Sequence, residues 1–212
     1  MTAAVWLLAA GLAWAAPPKL LVNAQLDTVS GGGGLERAFR PLVTAQPQPA
    51  WIGYTVPLVR GYNLGCEYVS PGGSTAPGVV HLEPPDHAVI LFHADMGAIT
   101  RIRVVSPDCE IDAGGVPVHW IDDVRPEEST ALLKTFAAAP GQRQTQTNDR
   151  REPLRENAVH ALSVSADPGA LDLLIAMARM DENSRIRRLC VTALARSKDP
   201  RATAFLEDVL KK

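Results

Sequence analysis

Residues 154–168 read LRENAVHALSVSADP and residues 186–200 read IRRLCVTALARSKDP. Laid over one another at an offset of 32, they match Leu154 with Ile186, Arg155 with Arg187, Val159 with Val191, Ala161-Leu162 with Ala193-Leu194 and Asp167-Pro168 with Asp199-Pro200. A match held at one offset is the signature of a repeat. Each unit opens with apolar residues at helical spacing and then reads Ser-x-Asp-Pro. There the Asp is an N-cap and the Pro takes the first position of a second helix, where its missing N–H is no loss. That second helix carries Ala170, Leu173, Leu174 and Met177 in one copy and Ala202, Phe205, Leu206 and Val209 in the other. Each unit is therefore a helical hairpin that buries its apolar face only against a neighbour.

The pattern A-x-x-A-L-x-x-S-x-D-P-x-A followed by an apolar helix resembles the short HEAT repeats of bacteria, armadillo-type helical repeats of the kind named for phycobilisome lyases. The resemblance covers residues 151–212, with units at about 153–184 and 185–212, and implies an all-α stack of two hairpins. Residues 20–137 in turn resemble the N-terminal region of secreted bacterial HEAT-repeat proteins of unassigned function. The matching stretches are Val22-Asn23-Ala24, Gly34 to Arg37, Trp51 to Tyr54, Asp108 to Gly115 and His119-Trp120. Those relatives carry more repeats. About three are usually needed for stability, so the pair here is expected to be capped by a helix near 127–136, by the sheet region, or by a second chain. The last case makes a homodimer through the repeat ends.

Upstream of the repeats the periodicity changes. Leu35, Ala38, Phe39, Leu42 and Val43 mark one amphipathic helix, which Pro41 is expected to bend or end early. Strands are expected at 51–59, 79–82, 87–93, 99–105 and 116–121, with 87–93 and 99–105 joined as a hairpin through Ala94 to Ala98. Pro126 with Glu127-Glu128 starts a helix running to about Phe136. The fold class that results is α+β: an N-terminal helix plus a small antiparallel sheet domain over 35–140, a polar linker at 141–150, and then the all-α HEAT-type stack. Residues 16–34 read as an arm and linker, in which Leu20-Leu21-Val22 is a short strand. Gly31 to Gly34 form a flexible break, because a phosphate loop would need Lys-Ser/Thr after its glycines and Leu35-Glu36-Arg37 follows instead.

Met1 to Ala15 read MTAAVWLLAAGLAWA, an uncharged apolar run ending in small-x-small, which is expected to be a signal peptide cleaved after Ala15. It is too short to span a membrane, for which about 20 apolar residues are needed. The mature chain is thus expected to be periplasmic or secreted, with no membrane span. Residues 16–149 carry 9 Lys/Arg against 14 Asp/Glu, a net −5, and residues 150–212 carry 12 against 9, a net +3. Neither half has the clustered basic face of a nucleic-acid binder. In an exported chain of three cysteines, Cys66 and Cys109 lie in loop-like stretches and are the favoured disulfide pair, while Cys190 falls on a buried helix face.

No catalytic constellation stands out. Asp108, Glu110 and Asp112 lack the spacing of a calcium loop, and the five histidines lack zinc spacings, so no metal or other cofactor is expected. Cys109, Asp112 and His119 would imitate a thiol nucleophile with its base only if Cys109 were reduced. Trp51, Tyr54, Asp112, His119 and Trp120 are the candidate binding residues, the aromatic ones because exposed rings anchor partners. The reading is an exported, non-enzymatic protein-binding or scaffold protein whose partner is a protein. The alternative is an enzyme subunit or cofactor-lyase-like chaperone with a pocket near Asp112 and His119.

Overall fold

A computed structural model of the chain describes residues 18, 21–45, 48–62, 64–66, 85–138 and 151–211. The signal peptide, the strand expected at 79–82 and the 141–150 linker lie outside the described residues. In chain order the elements are β1 (Leu21–Val22), β2 (Gln25–Ser30), α1 (Leu35–Thr44), β3 (Ala50–Pro57), β4 (His87–Asp95), β5 (Ala98–Val105), β6 (Ile111–Asp112), β7 (Pro117–Asp122), α2 (Pro126–Ala137), α3 (Arg151–Val164), α4 (Pro168–Met180), α5 (Ser184–Arg196) and α6 (Pro200–Leu210).

The α+β class holds, but the sheet is mixed rather than antiparallel. Its order is β2-β7-β3-β4-β5, with β7 parallel to both β2 and β3, and with β3, β4 and β5 antiparallel in turn. The parallel half exists because residues 25–30 are not an arm: QLDTVS is an edge strand, followed by α1 as the crossover to β3. Its exposed, mostly polar residues carry no buried alternation, so the strand is invisible to pattern reading. The glycine run is likewise a built turn. Gly31 donates its N–H to the Asp122 carbonyl at 3.0 Å, and a Cβ there would stand 2.3 Å from that oxygen. Gly34 takes φ 110° immediately before α1, a conformation open to glycine.

Pro41 does not interrupt α1. It forfeits one hydrogen bond to the Arg37 carbonyl, and both residues lie on the exposed side, where water serves instead, while Leu35 and Phe39 hold the other side in the core. The β4–β5 hairpin turns through Met96 (φ 48°) and Gly97 (φ 74°), the paired positive angles of a tight turn that matches strand twist.

One hydrophobic core runs through the whole described fold. It joins Ile52, Tyr54, Ile90, Phe92, Ile102 and Val104 of the sheet to Leu35 and Phe39 of α1, Leu133 of α2, Leu162 of α3, Leu174 of α4 and Leu194 of α5. Phe39, Phe92 and Phe136 meet edge-on or tilted, with ring centroids 4.9–6.5 Å apart. The division into a sheet domain and a separate stack therefore does not extend to packing. The segment after β3 binds the α3–α4 turn through its backbone, Val59 donating to the Val164 carbonyl and Ala166 to that of Pro57, each at 2.9 Å.

The hairpin stack follows the repeat. Asp167 caps α4 by accepting from Gly169 N–H, and Asp199 caps α6 by accepting from Arg201 N–H, with Pro168 and Pro200 first in their helices. Arg155 is buried (5% exposed) and ties three segments together. Its Nε donates to the Ala137 carbonyl at the end of α2 (3.0 Å), and its Nη2 to Asp181 Oδ2 in the α4–α5 turn (2.6 Å). The helix at 126–137 thus covers the inner end of the pair.

Candidate binding surface

Residues directly opposite on neighbouring strands share a face of the sheet. The helix face carries Ile52, Tyr54 and Phe92 in the main core. On the other face, register places Leu26, Val118, Trp51, His93 and Arg101 in one row, and Thr28, Trp120, Gly53, Leu91 and Arg103 in the next. A second, smaller cluster forms there from Val89, Leu91, Val105 and Trp120, with Trp51 and Ile111 packed against it. Ile111 belongs to the loop after β5, which pairs with β1 and is held by the Cys66–Cys109 disulfide, whose Cα atoms are 5.5 Å apart. Closing a loop across 43 residues contributes roughly 2–4 kcal/mol by restricting the unfolded chain.

What remains open is the row at the other end of this face. Trp51 and His93 are half-buried and meet edge to face, with centroids 4.8 Å apart. Arg101 is exposed, and so is Leu26 at 45%. His93 Nδ1 lies 2.7 Å from Thr100 Oγ1, whose hydroxyl donates to the His93 carbonyl. Its oxygen is then left to accept a hydrogen bond from Nδ1–H. Burial, and to a lesser degree Arg101, holds the His93 pKa below its ordinary value against the pull of Asp95, so the ring is neutral at pH 7. The row offers an apolar side chain on one edge strand, the Trp51–His93 pair at its middle and a cation on the other edge strand.

The candidate residues disperse. Trp51 lies on the open face. Tyr54 is fully buried on the helix face, with its hydroxyl 3.0 Å from Ser129 Oγ and its pKa pushed up by that burial. Trp120 is fully buried across Gly53, where a Cβ would come within 2.9 Å of the ring. Neither ring meets solvent. Asp112 locks a turn, its Oδ1 accepting from Gly114 N–H (2.8 Å) and from the Asn23 amide (3.1 Å), which together hold its carboxyl below the usual range. His119 points to the helix face beside Ile52, with Nδ1 2.6 Å from Asp27 Oδ1. A depression of about 500 Å³ beside Asp112 is lined by Asn23, Ala24, Gln25, Gly114 and Gly115, without His119. Cys109 is oxidised, so it offers no thiol for that histidine. Among the described residues no group of His, Cys, Asp and Glu could hold a metal ion.

A second groove, of about 550 Å³, lies between α1 and α2 beside Arg37, Arg40 and Leu132. Its floor holds Glu128, which accepts from the Leu35 N–H at the start of α1, from Arg125 Nη2 (2.5 Å) and from the Arg125 N–H (3.4 Å). The carboxylate of one helix thus caps another. These bonds, that of the Arg125 side chain first, hold its pKa below the ordinary value, so the stability it adds is present above that value and lost as pH falls through the depressed one. In Glu128→Gln the acid limb of the pH–stability curve becomes shallower below about pH 4.5, and neutral stability drops by about 0.5–1 kcal/mol. Thermal melts from pH 3 to 7 measure both.

His93, Arg101 and Leu26 escaped sequence reading as site residues. Only the register of the sheet sets Arg101 in line with Trp51. No helix among the described residues is long and apolar enough to cross a membrane. No curated protein and no solved structure matches the chain. Residues 143–212 match the family model of HEAT repeats, and the hairpins α3–α4 and α5–α6 are the repeats within that match.

Proposed function

We propose that this chain is an exported, non-enzymatic protein-binding module that takes its partner on the open row Leu26–Trp51–His93–Arg101, with the HEAT hairpins bracing the sheet from behind. HEAT repeats commonly mediate protein–protein contact. The observation that carries the reading is the row itself: an aromatic ring, an exposed leucine and an exposed arginine on a sheet face that no described helix covers. Such anchors suit a partner presenting apolar and acidic side chains. An enzymatic reading needs a pocket joining Asp112 to His119, and the separation of the two weighs against it. Export is supported by the apolar N-terminal run and by the disulfide.

The test uses the mature chain as bait in an extract of the exported fraction, beside Leu26→Asp and Arg101→Glu. Both positions are exposed, so circular dichroism should be unchanged while capture falls at least about tenfold. Capture that survives both changes would rule out this face. Export is checked separately by a reporter fused to the C-terminus that is active only outside the cytoplasm, and a silent reporter would refute it.

A further inference from the structure

We infer that the outer face of the second hairpin is a self-association surface, on which a second copy of this chain sits in a two-fold arrangement through α5 and α6. The inference adds a second surface and does not rest on the sheet-face reading.

The internal repeat shows what this face lacks. In the first unit Val159, Met177 and Ala178 are buried. At the same positions of the second unit, 32 residues on, Val191 is half-buried, Val209 is 46% exposed and Leu210 is 85% exposed. Leu206, Val209 and Leu210 fall at i, i+3 and i+4, which makes one apolar stripe along α6.

The paired arginines make the same comparison in charge. Arg155 holds the carbonyl that ends α2, and also the Asp181 carboxylate presented by the next hairpin. Arg187 makes the first kind of contact, its Nη1 donating to the Asp181 and Glu182 carbonyls at 2.6 and 3.1 Å, but among the described residues no carboxylate pairs with it. What fits here is an apolar helical face bearing an acid.

The face supplies that complement itself. Because α6 returns alongside α5, Glu207 stands at the same end of the hairpin as Arg187 and flanks the Leu206–Leu210 stripe, and Glu207 is exposed. A surface carrying both signs beside one apolar stripe is self-complementary, as a two-fold interface requires. Arg187 of each copy then meets Glu207 of the other. Helices of 13 and 11 residues offer a face roughly 20 Å long. Two helices each about 10 Å wide make that face on the order of 400 Å², about half of the roughly 800 Å² per partner of a standard interface, so the association is weak.

Sedimentation equilibrium of the mature full chain, from about 1 to 300 µM, should show the mass rising from one protomer to two. Leu210→Asp should weaken association at least about tenfold, as should Arg187→Glu and Glu207→Arg singly. Arg187→Glu combined with Glu207→Arg should restore it, because the reversed pair forms across the same axis. Leu26→Asp should leave it untouched, which separates this surface from the sheet face. A mass of one protomer at every concentration overturns the inference. So does a dimer that Leu210→Asp leaves intact, or failure of the double reversal to recover what the single ones lose.

Discussion

Replacing Arg155 by Met should lower the stability of the chain by about 3–5 kcal/mol, read as a fall in the urea midpoint at constant slope. The guanidinium is buried and is the only described side chain bonded to both the end of α2 and the α4–α5 turn. Met fills much of the same space but leaves the Asp181 carboxylate, itself 10% exposed, without its counter-charge, and the Ala137 carbonyl without a donor. The penalty comes chiefly from that stranded charge. Arg155→Met with Asp181→Asn should therefore recover a large part of the loss, since the amide keeps the side-chain oxygen that accepts from Asn183 N–H but carries no charge. A double variant no more stable than the single one would mean that the lost packing, rather than the charge, dominates. In the folded chain burial, with the nearby Asp181 carboxylate, pushes the Cys190 thiol up to about 12, so it stays protonated at neutral pH.

Trp120→Ala should cost about 3–5 kcal/mol, the range for emptying a fully buried aromatic site. The indole lies over Gly53 and packs with Val89, Leu91 and Val105, in a cluster too small to close around the void. The same contact predicts that Gly53→Ala destabilises through overpacking, by about 1–3 kcal/mol, since its Cβ would meet Leu91 at 2.7 Å and the indole at 2.9 Å. Denaturant melts followed by circular dichroism give both numbers. Because Trp51 rests on this cluster, Trp120→Ala should also weaken partner capture, although residue 120 meets no solvent. Stability unchanged in Trp120→Ala would mean that the smaller cluster does not hold the second face together.

The helical half was legible because its signals are local. Asp-Pro at a fixed offset states where α4 and α6 begin, and apolar residues three and four apart state which side is buried. The β4–β5 hairpin was legible for the same reason, since its turn and both strands lie within 19 consecutive residues. The Cys66–Cys109 pairing followed from compartment and loop position, and the bridge is present in the structure.

The sheet's parallel half and the candidate surface depend on contacts that no local pattern encodes. Strand β2 reads as linker because an edge strand with both sides wet needs no alternation, and its partner β7 lies about 90 residues away. The aromatic candidates were sorted by register alone: Tyr54 and Trp51 are three residues apart on one strand, so they point to opposite faces, and only the helices on one face make the first core and leave the second open. His119 and Asp112, close in sequence, part because Asp112 belongs to the small β1–β6 pair and its turn while His119 lies on β7 of the main sheet. The sequence by itself determined the two hairpins, their caps and the apolar side of each helix, because hydrogen bonds and side-chain spacing within a dozen residues decide them. Tertiary structure alone decided which strands pair, which sheet face the helices cover and so which residues a partner can reach, because those depend on burial shared between segments far apart in the chain.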